Sequence, residues 1–442
     1  MSALNTDLYE ITMAAGYFLA GKTADVATFE LSVRRLPRNR NLLVAAGLQQ
    51  AVEYLLDLRF EADELDYLRS LKQFQNTPPE FFDFLRDLRF TGDLFALPEG
   101  TPVFPGEPLL IVRAPLVEAQ LAETYLLSTM AFQTTIASKA ARMVAAAEDR
   151  MVVEFGSRRA HSPGAGVLAG RAAYLAGCSG TSNTETGMRF GVPVFGTAAH
   201  SWTMAFPTEE ESFRALQTLL GESTVFLVDT YDTLEGARLT TKLGPPVWGV
   251  RLDSGDLGAL SREVRRILDA GGLKEAKIFA SNDLDEYRIA DLVGSGAPID
   301  AFGVGTQLAT SGDAPSVAAI YKLVELQIGE SLHYTAKYSE EKSTLPAAKQ
   351  VYRYPDRDVI SLYNECNKEF TGEPLVRPII MKGELLEPLP SATSIRSYAM
   401  SVIDALPSEL RSLEESVPYR VDISKRLNTL AEDLRGEFQL AR

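Results

Sequence analysis

The chain has 442 residues, of which 45% are hydrophobic and 23% are charged, and its formal net charge is −15. This composition is ordinary for a globular protein, and the length predicts two or three domains. The acidic balance excludes a sequence-independent nucleic-acid binder, which needs a basic face, although a local arginine cluster can still attract an anionic ligand.

Targeting and redox features predict a cytoplasmic protein. Asp7 and Glu10 stand where a secretory signal would be basic, and no apolar run reaches the roughly 18 residues of a membrane-spanning helix. The two cysteines, Cys178 and Cys366, lack CxxC spacing and cannot form a disulfide framework. We therefore expect neither a membrane nor a nucleic-acid partner.

The first predicted element is a helix that starts near Asp7 and ends near Gly21. Its end, GYFLAGKT at residues 16–23, satisfies the P-loop pattern. A P-loop needs a buried strand before the first glycine and a helix after the lysine. Here the helix comes first, and bulky Tyr17 and Phe18 would fill the phosphate cradle, so the pattern does not predict a nucleotide site.

The next segments predict a mixed α/β region. A strand over 27–34 precedes an arginine-rich loop, which composition alone places at the solvated surface. Apolar spacing then predicts helices, and short runs broken by Pro-Glu-Gly and Pro-Gly predict antiparallel strands. The helices are expected over 48–58, 62–71, 79–88 and 116–148, and the strands over 94–113.

From Met151 short apolar runs alternate with helical segments, which predicts a parallel sheet, either closed or doubly wound. The runs are MVVEF, VPVF, TVFLVD, VWGVRLD, AKIFASND and IDAFGVG. Their ends carry polar residues and glycines that a stabilising core would not select, and in a barrel such residues line the active site. From about Tyr321 further β-like runs are expected to rejoin the first domain, before a helical tail from Ser394.

The residues at these strand ends predict a site for a phosphorylated small molecule. Paired arginines and small-residue loops suit phosphate groups, and carboxylates beside phosphates favour Mg²⁺. The sequence contains no serine nucleophile elbow, HExxH motif or cysteine ligand cluster. We therefore expect transfer chemistry. The set comprises Arg158, Arg159, Arg251, Asp229, Asp253, Asp283 and His200.

Seven segments, taken in order, resemble the nicotinate phosphoribosyltransferase family: TDLYEITM, FGSRRAHSP, GTAAHSW, VDTYDTLEGA, GVRLDSGDL, FASNDLDEY and AFGVGTQL. Each segment is a weak signal alone, but the ordered set is specific. The resemblance implies an enzyme that forms nicotinate mononucleotide and pyrophosphate from nicotinate and phosphoribosyl pyrophosphate, coupled to ATP hydrolysis. It also implies a homodimer with shared active sites.

The resemblance implies a fold as well. An irregular, TIM-like α/β barrel should pack on an α/β N-terminal domain, with a C-terminal segment that returns to the N-terminal domain. On this layout we expect the domains to span residues 1–118, 119–320 and 321–442.

The resemblance also gives the site residues their roles. Phe155 resembles the residue that stacks on the pyridine ring, and Arg158 suits the nicotinate carboxylate or adjoining phosphates. His200 resembles a histidine that accepts phosphate from ATP. Asp253 resembles the carboxylate for the ribose hydroxyls, with Arg251 nearby. The remaining assignments are Asp229 to Mg²⁺ and pyrophosphate, Gly303, Gly305 and Thr306 to the 5′-phosphate, and Tyr9 and Arg34 to the neighbouring subunit's site.

Two other functions remain open at this point, and the first is that of a nicotinamide phosphoribosyltransferase. Related nicotinamide enzymes carry an aspartate where this chain has Ser182, so a hydroxyl there favours nicotinate. The second is a non-catalytic barrel that binds a phosphorylated metabolite, which would be expected to lack part of the catalytic set.

In the arginine-rich loop, Arg38 and Arg40 lack support from the resemblance and are predicted to lie at the surface.

Overall fold

The computed structural model describes residues 2–338, 344–365, 370–413 and 417–440. Cys178 is a buried free thiol, whereas Cys366 lies outside the described residues. None of the described helices combines the length and the apolar character that crossing a membrane requires.

The helices of the described residues follow the predicted apolar spacing closely. The predicted helix over 116–148 is divided in two around Ala122. The α-helices are α1 Leu8–Leu19, α2 Leu48–Leu56, α3 Ala62–Ser70, α4 Pro79–Asp87, α5 Leu116–Leu121, α6 Glu123–Ala147, α7 Pro163–Leu175, α8 Thr184–Phe190, α9 His200–Met204, α10 Glu209–Leu220, α11 Thr233–Leu243, α12 Leu257–Ala270, α13 Glu286–Gly294, α14 Thr306–Ala309, α15 Ala392–Asp404 and α16 Lys425–Leu440.

The strands fall into two large sheets and two small ones. They are β1 Val26–Val33, β2 Leu43–Val44, β3 Asp93–Ala96, β4 Pro102–Val103, β5 Pro108–Pro115, β6 Met151–Glu154, β7 Gly180–Thr181, β8 Val225–Leu227, β9 Gly249–Leu252, β10 Lys277–Ala280, β11 Ala301–Val304, β12 Ala319–Ile328, β13 Ser331–Tyr334, β14 Lys349–Arg353, β15 Arg357–Leu362, β16 Glu373–Pro374, β17 Arg377–Met381, β18 Glu384–Leu385 and β19 Arg420–Ile423.

An antiparallel sheet joins the two ends of the chain. Its strand order is β13-β12-β1-β5-β3-β17-β18, so β12 and β17, which follow the parallel region, pair with strands from the first part of the chain. Residues 27–33 of β1 are buried on both faces, which suits a central strand covered on each side. The predicted return of the C-terminal segment to the N-terminal domain is therefore confirmed.

The parallel sheet has the order β7-β6-β11-β10-β9-β8, and α7, α11, α12 and α13 connect or flank its strands. An isolated bridge between Thr181 and Val194 extends it at β7. In the part of the chain that the structure describes, no ladder joins the Val194 segment to β8, so the barrel is irregular. The predicted fold class is confirmed.

Near the N-terminus, the structure bears on the P-loop pattern and on the predicted exposure of Arg38 and Arg40. Residues 16–19 lie inside α1 and Lys22 pairs with Asp25 at 2.9 Å, so the P-loop pattern has no P-loop structure around it. Arg38 is exposed as predicted, but the prediction for Arg40 is wrong. Its side chain is 1% exposed and its guanidinium binds Asp313, because a carboxylate partner permits a buried charge that loop composition cannot reveal.

Candidate active site

A cavity of about 540 Å³ lies at the carboxyl ends of the parallel strands. Parallel strands present these ends at one edge, so residues far apart in sequence meet there. The structure brings most of the predicted site residues together around this cavity. Those that line it are Phe155, Arg158, Arg159, Ser182, Arg251, Asp253, Asp283, Gly303, Gly305 and Thr306.

Phe155 forms an aromatic wall directly after β6. Its ring stacks on Phe279 with centroids 5.4 Å apart and planes at 16°, and the Arg251 guanidinium lies 5.7 Å from its centroid. A Cβ atom at Gly303 would lie 2.8 Å from the Phe155 ring and 2.6 Å from Phe279. Only glycine at position 303 therefore leaves room for this wall.

Arg251 and Asp253, on and just after β9, form a fixed polar network. Arg251 Nη2 donates to Asp253 Oδ1 at 2.7 Å, Nε donates to Ser281 Oγ at 2.8 Å, and Nη1 donates to Thr197 Oγ1 at 2.8 Å. Ser281 also donates to Asp253 Oδ1. Burial alone would raise the pKa of Asp253, but Arg251 and these hydrogen bonds hold it below its ordinary value. The carboxylate therefore stays ionised at neutral pH.

His200 and Asp229 lie next to the cavity rather than in its lining. His200 begins α9, its Nδ1 is 3.1 Å from Thr230 Oγ1, and its Nε2 is 3.7 Å from Asp253 Oδ2. Asp229 Oδ2 accepts hydrogen bonds from the Asp253 N–H at 2.8 Å and from Ser254 Oγ at 2.7 Å. Its Oδ1 is buried and has no hydrogen-bond partner within the described residues.

The loop between β11 and α14 presents backbone groups to the cavity. Gly305 precedes α14, and the first N–H groups of a helix lack partners inside the helix, which suits an anion. A Cβ atom at Gly156 would meet Gly305 O at 2.8 Å, so the β6 and β11 loops touch without side chains between them. Arg158 and Arg159 are exposed at the rim, where they add positive charge.

Tyr9 and Arg34 do not reach this cavity within one chain. Tyr9 lies on α1 with 46% of its surface exposed, and Arg34 follows β1. Arg34 Nε is buried without a hydrogen-bond partner among the described residues. Both residues belong to the antiparallel region rather than to the barrel.

The sequence analysis assigned no role to three residues that support the site. Thr197 and Ser281 orient Arg251 and Asp253, and Glu154 is a fully buried carboxylate at the end of β6. An acidic residue at the end of an apolar strand was the available signal for Glu154. The described residues contain no group of three or more His, Cys, Asp or Glu that would hold a metal alone.

Three family models match consecutive parts of the chain. The model for the nicotinate phosphoribosyltransferase N-terminal domain matches residues 4–131, the model for the nicotinate phosphoribosyltransferase family matches residues 151–365, and the model for the C-terminal domain matches residues 363–431.

Similar proteins cover the chain almost completely. A nicotinate phosphoribosyltransferase of Mycobacterium tuberculosis is 45% identical over 97% of this chain and 92% of its own length. One of Bacillus subtilis is 39% identical over 96% of this chain and 93% of its own length. The crystal structure of human nicotinic acid phosphoribosyltransferase superposes with a TM-score of 0.84 at 30% identity, covering 97% of this chain and 99% of that one.

Proposed function

Because the chain belongs to the nicotinate phosphoribosyltransferase family, we propose that it joins nicotinate to phosphoribosyl pyrophosphate and releases nicotinate mononucleotide and pyrophosphate. This reaction belongs to NAD salvage. The observation that carries the proposal is the single cavity that holds Phe155, Arg251 and Asp253 beside the glycine loop after β11.

The proposed chemical step is a substitution at the anomeric carbon of the ribose. The lone pair of the pyridine nitrogen forms a bond to this carbon while the bond to pyrophosphate breaks, and pyrophosphate leaves with the electron pair. Phe155 stacks on the pyridine ring and holds its nitrogen in line. Arg158 and the Ser182 hydroxyl donate hydrogen bonds to the nicotinate carboxylate, which an amide would match poorly.

The ribose and its 5′-phosphate bind on the opposite side of the cavity. Asp253 Oδ1 is already engaged by Arg251 and Ser281, so Oδ2 accepts the ribose hydroxyls. A lowered pKa keeps this carboxylate able to accept at neutral pH and to stabilise positive charge that develops on the ribose. Backbone N–H groups of residues 303–306 hold the phosphate.

Asp229 is the proposed ligand of Mg²⁺. Its buried and unpartnered Oδ1 fits a hard cation, which takes one or two carboxylates together with phosphate oxygens. When bound with pyrophosphate, Mg²⁺ would neutralise charge on the leaving group. Asp229 Oδ2 stays bonded to the Asp253 backbone and Ser254, which orients Oδ1.

His200 is the proposed acceptor of phosphate from ATP. When Nδ1–H donates to Thr230, the lone pair lies on Nε2. Nε2 attacks the γ-phosphorus, the bond to the ADP oxygen breaks, and water later takes the phosphoryl group and releases phosphate. The distance of 3.7 Å from Nε2 to Asp253 Oδ2 supports coupling between this step and the ribose site.

The proposed assembly is a homodimer in which Tyr9 and Arg34 complete the partner's site. Their distance from the cavity of their own chain and the unpartnered Nε of Arg34 support this arrangement. We also propose that the domains span residues 1–118, 119–320 and 321–442, since β12 and β17 pair with strands of the first span.

The ATP-linked part of the proposal is tested with His200→Ala, using His333→Ala, an exposed histidine on β13, as the matched control. Purified proteins receive phosphoribosyl pyrophosphate, nicotinate, Mg²⁺ and ATP, and both mononucleotide and ADP are measured. We expect His200→Ala to lose nicotinate-dependent ATP hydrolysis while retaining slow ATP-independent synthesis. Nicotinate-dependent ATP hydrolysis by His200→Ala at the wild-type rate would refute the assignment.

A further inference from the structure

Glu154 is a buried carboxylate that no step of the proposed reaction uses. It ends β6, beside Phe155, and none of its surface is exposed. Its Oε2 accepts a hydrogen bond from Thr181 Oγ1 at 2.6 Å, and its Oε1 accepts one from the Gly156 backbone N–H. Thr181 ends β7, so one carboxylate joins the carboxyl ends of two neighbouring strands.

The connection continues into the wall of the cavity. The Ser182 backbone N–H donates to the Glu154 carbonyl at 2.9 Å. The Asn183 backbone N–H donates to Thr181 Oγ1 at 3.0 Å, and its side-chain amide donates to Ser157 Oγ at 3.1 Å. Ser157 and Ser182 both line the cavity, so the two strand ends and their loops form one hydrogen-bonded unit.

Burying this carboxylate costs folding free energy. Within the described residues it makes no ion pair, and its burial raises its pKa although Thr181 and Gly156 donate hydrogen bonds to it. An apolar side chain of similar size would fill the same space without this cost. The buried acid is therefore explained by the geometry that it gives the two strand ends and their loops, rather than by a gain in stability.

We propose that Glu154 is a positioning residue that fixes the spacing between Phe155 and Ser182 and thereby determines how the pyridine substrate fits between them. The inference rests on the proposed function, because that function places the pyridine ring at Phe155 and its carboxylate at Ser182. The Glu154 carboxylate makes no hydrogen bond to residues 303–306, where the phosphate is proposed to bind. Its influence should therefore concern nicotinate more than phosphoribosyl pyrophosphate.

The test compares kinetic constants for both substrates in Glu154→Gln, Glu154→Ala and Thr181→Val. Glutamine cannot accept both hydrogen bonds, and alanine accepts neither. Valine at position 181 keeps the side-chain shape but removes both the donor to Glu154 and the acceptor of the Asn183 N–H. We expect the KM for nicotinate to rise about tenfold in Glu154→Ala, which removes the acceptor of both hydrogen bonds. The rise should be smaller in Glu154→Gln and Thr181→Val, in which the side chain at position 154 can still accept from the Gly156 N–H. The KM for phosphoribosyl pyrophosphate should stay near that of the wild type, and the preference for nicotinate over nicotinamide should fall.

The matched control is Glu30→Gln, which changes another buried acid in the antiparallel sheet, where it pairs with Lys349 at 2.8 Å. It should lower the melting temperature and leave both KM values unchanged. If the Glu154 and Thr181 variants behave like this control, Glu154 is only structural and the inference is wrong. If Glu154→Ala does not fold, Glu154→Gln decides by the same criterion. A wild-type protein that forms no product from nicotinate would overturn both the proposed function and this inference.

Discussion

Arg38 and Arg40 lie two residues apart in one loop, yet their surroundings differ. Arg38 is exposed, whereas the Arg40 guanidinium makes two hydrogen bonds to Asp313, at 2.9 and 3.1 Å. Lys139 from α6 binds Asp313 at 2.8 Å and also contacts the fully buried Glu286 at the start of α13. This cluster connects the loop after β1 to the start of α13 and to the segment after α14.

Arg40→Ala should therefore lower the free energy of unfolding by about 2–3 kcal/mol, because Asp313 loses two charge-assisted hydrogen bonds but keeps Lys139 as a partner. Arg38→Ala, the matched control, should change it by less than about 0.5 kcal/mol. Chemical denaturation of the two variants measures both values. Equal effects would show that Arg40 is solvated in the folded protein.

Ser182 is the residue that we propose distinguishes the acid from the amide. Ser182→Asp should lower kcat/KM for nicotinate by about a hundredfold, because the new carboxylate repels that of the substrate, and should raise it for nicotinamide. Ser182→Ala removes the hydroxyl without adding charge and should cost nicotinate only about tenfold. Steady-state kinetics with both substrates measure the shift. A Ser182→Asp enzyme with unchanged preference would place selectivity elsewhere.

For individual residues, the sequence predicts the side chains that directly follow apolar runs but not the roles of the side chains that support them. Phe155, Arg251 and Asp253 stand out because a strand end is an unusual place for a ring, a cation and an acid. Ser281 also follows an apolar run, but hydroxyl residues are common in loops, so the sequence assigns no role to Ser281 or to Thr197. Their importance depends on the Arg251 geometry, which only the fold supplies.

Among the helices, α1 is attached to α6 through a carboxylate. Glu10 Oε1 accepts hydrogen bonds from the Thr124 N–H at 3.0 Å and from Thr124 Oγ1 at 2.6 Å, and Thr6 donates to Oε2. Burial is the main cause that raises the pKa of Glu10 to about 7, and these hydrogen bonds oppose it only in part. The helix therefore carries an acid that ionises within the physiological range.

Stability should depend on pH through this residue. The folded protein binds the Glu10 proton more tightly than the unfolded chain, so the stability that this proton supplies is present below pH 4.5 and is lost as pH rises through about 7. Glu10→Gln keeps the shape and removes the titration. The unfolding free energy of Glu10→Gln minus that of the wild type should increase from pH 5 to pH 8. A difference that is constant across this range would contradict the raised pKa.

Strand and helix predictions succeed where the apolar run is long and fail where backbone contact decides. The VPVF run forms only an isolated bridge at Val194, whereas Gly180–Thr181, which belongs to none of the predicted apolar runs, forms β7. A Cβ atom at Gly180 would lie 2.2 Å from Pro193 O, so the close approach of these two segments requires glycine. No periodicity in the sequence encodes that contact.

The chain as a whole leaves the antiparallel sheet after β5, completes the barrel and returns at β12. Tyr9 and Arg34 consequently stay with the antiparallel sheet, away from the cavity of the same chain. In the proposed homodimer each copy supplies Tyr9 and Arg34 to the site of the other, so each site depends on both subunits.

Complementation between inactive variants tests this exchange. Tyr9→Ala and Asp253→Asn should each form nearly inactive dimers. When equal amounts are mixed and allowed to exchange subunits, the mixture should regain about a quarter of wild-type activity, because about half of the dimers are hybrids and each hybrid contains one intact site. Activity no greater than the sum of the separate variants would show that Tyr9 acts within its own subunit.

Competition between the two pyridine substrates tests whether the protein is a nicotinate phosphoribosyltransferase. Wild-type protein receives equal concentrations of nicotinate and nicotinamide with phosphoribosyl pyrophosphate, Mg²⁺ and ATP, and the mononucleotides are separated and measured by mass. We expect nicotinate mononucleotide in large excess, formed faster with ATP than without it. Nicotinamide mononucleotide as the main product, or no product from either substrate, would contradict it.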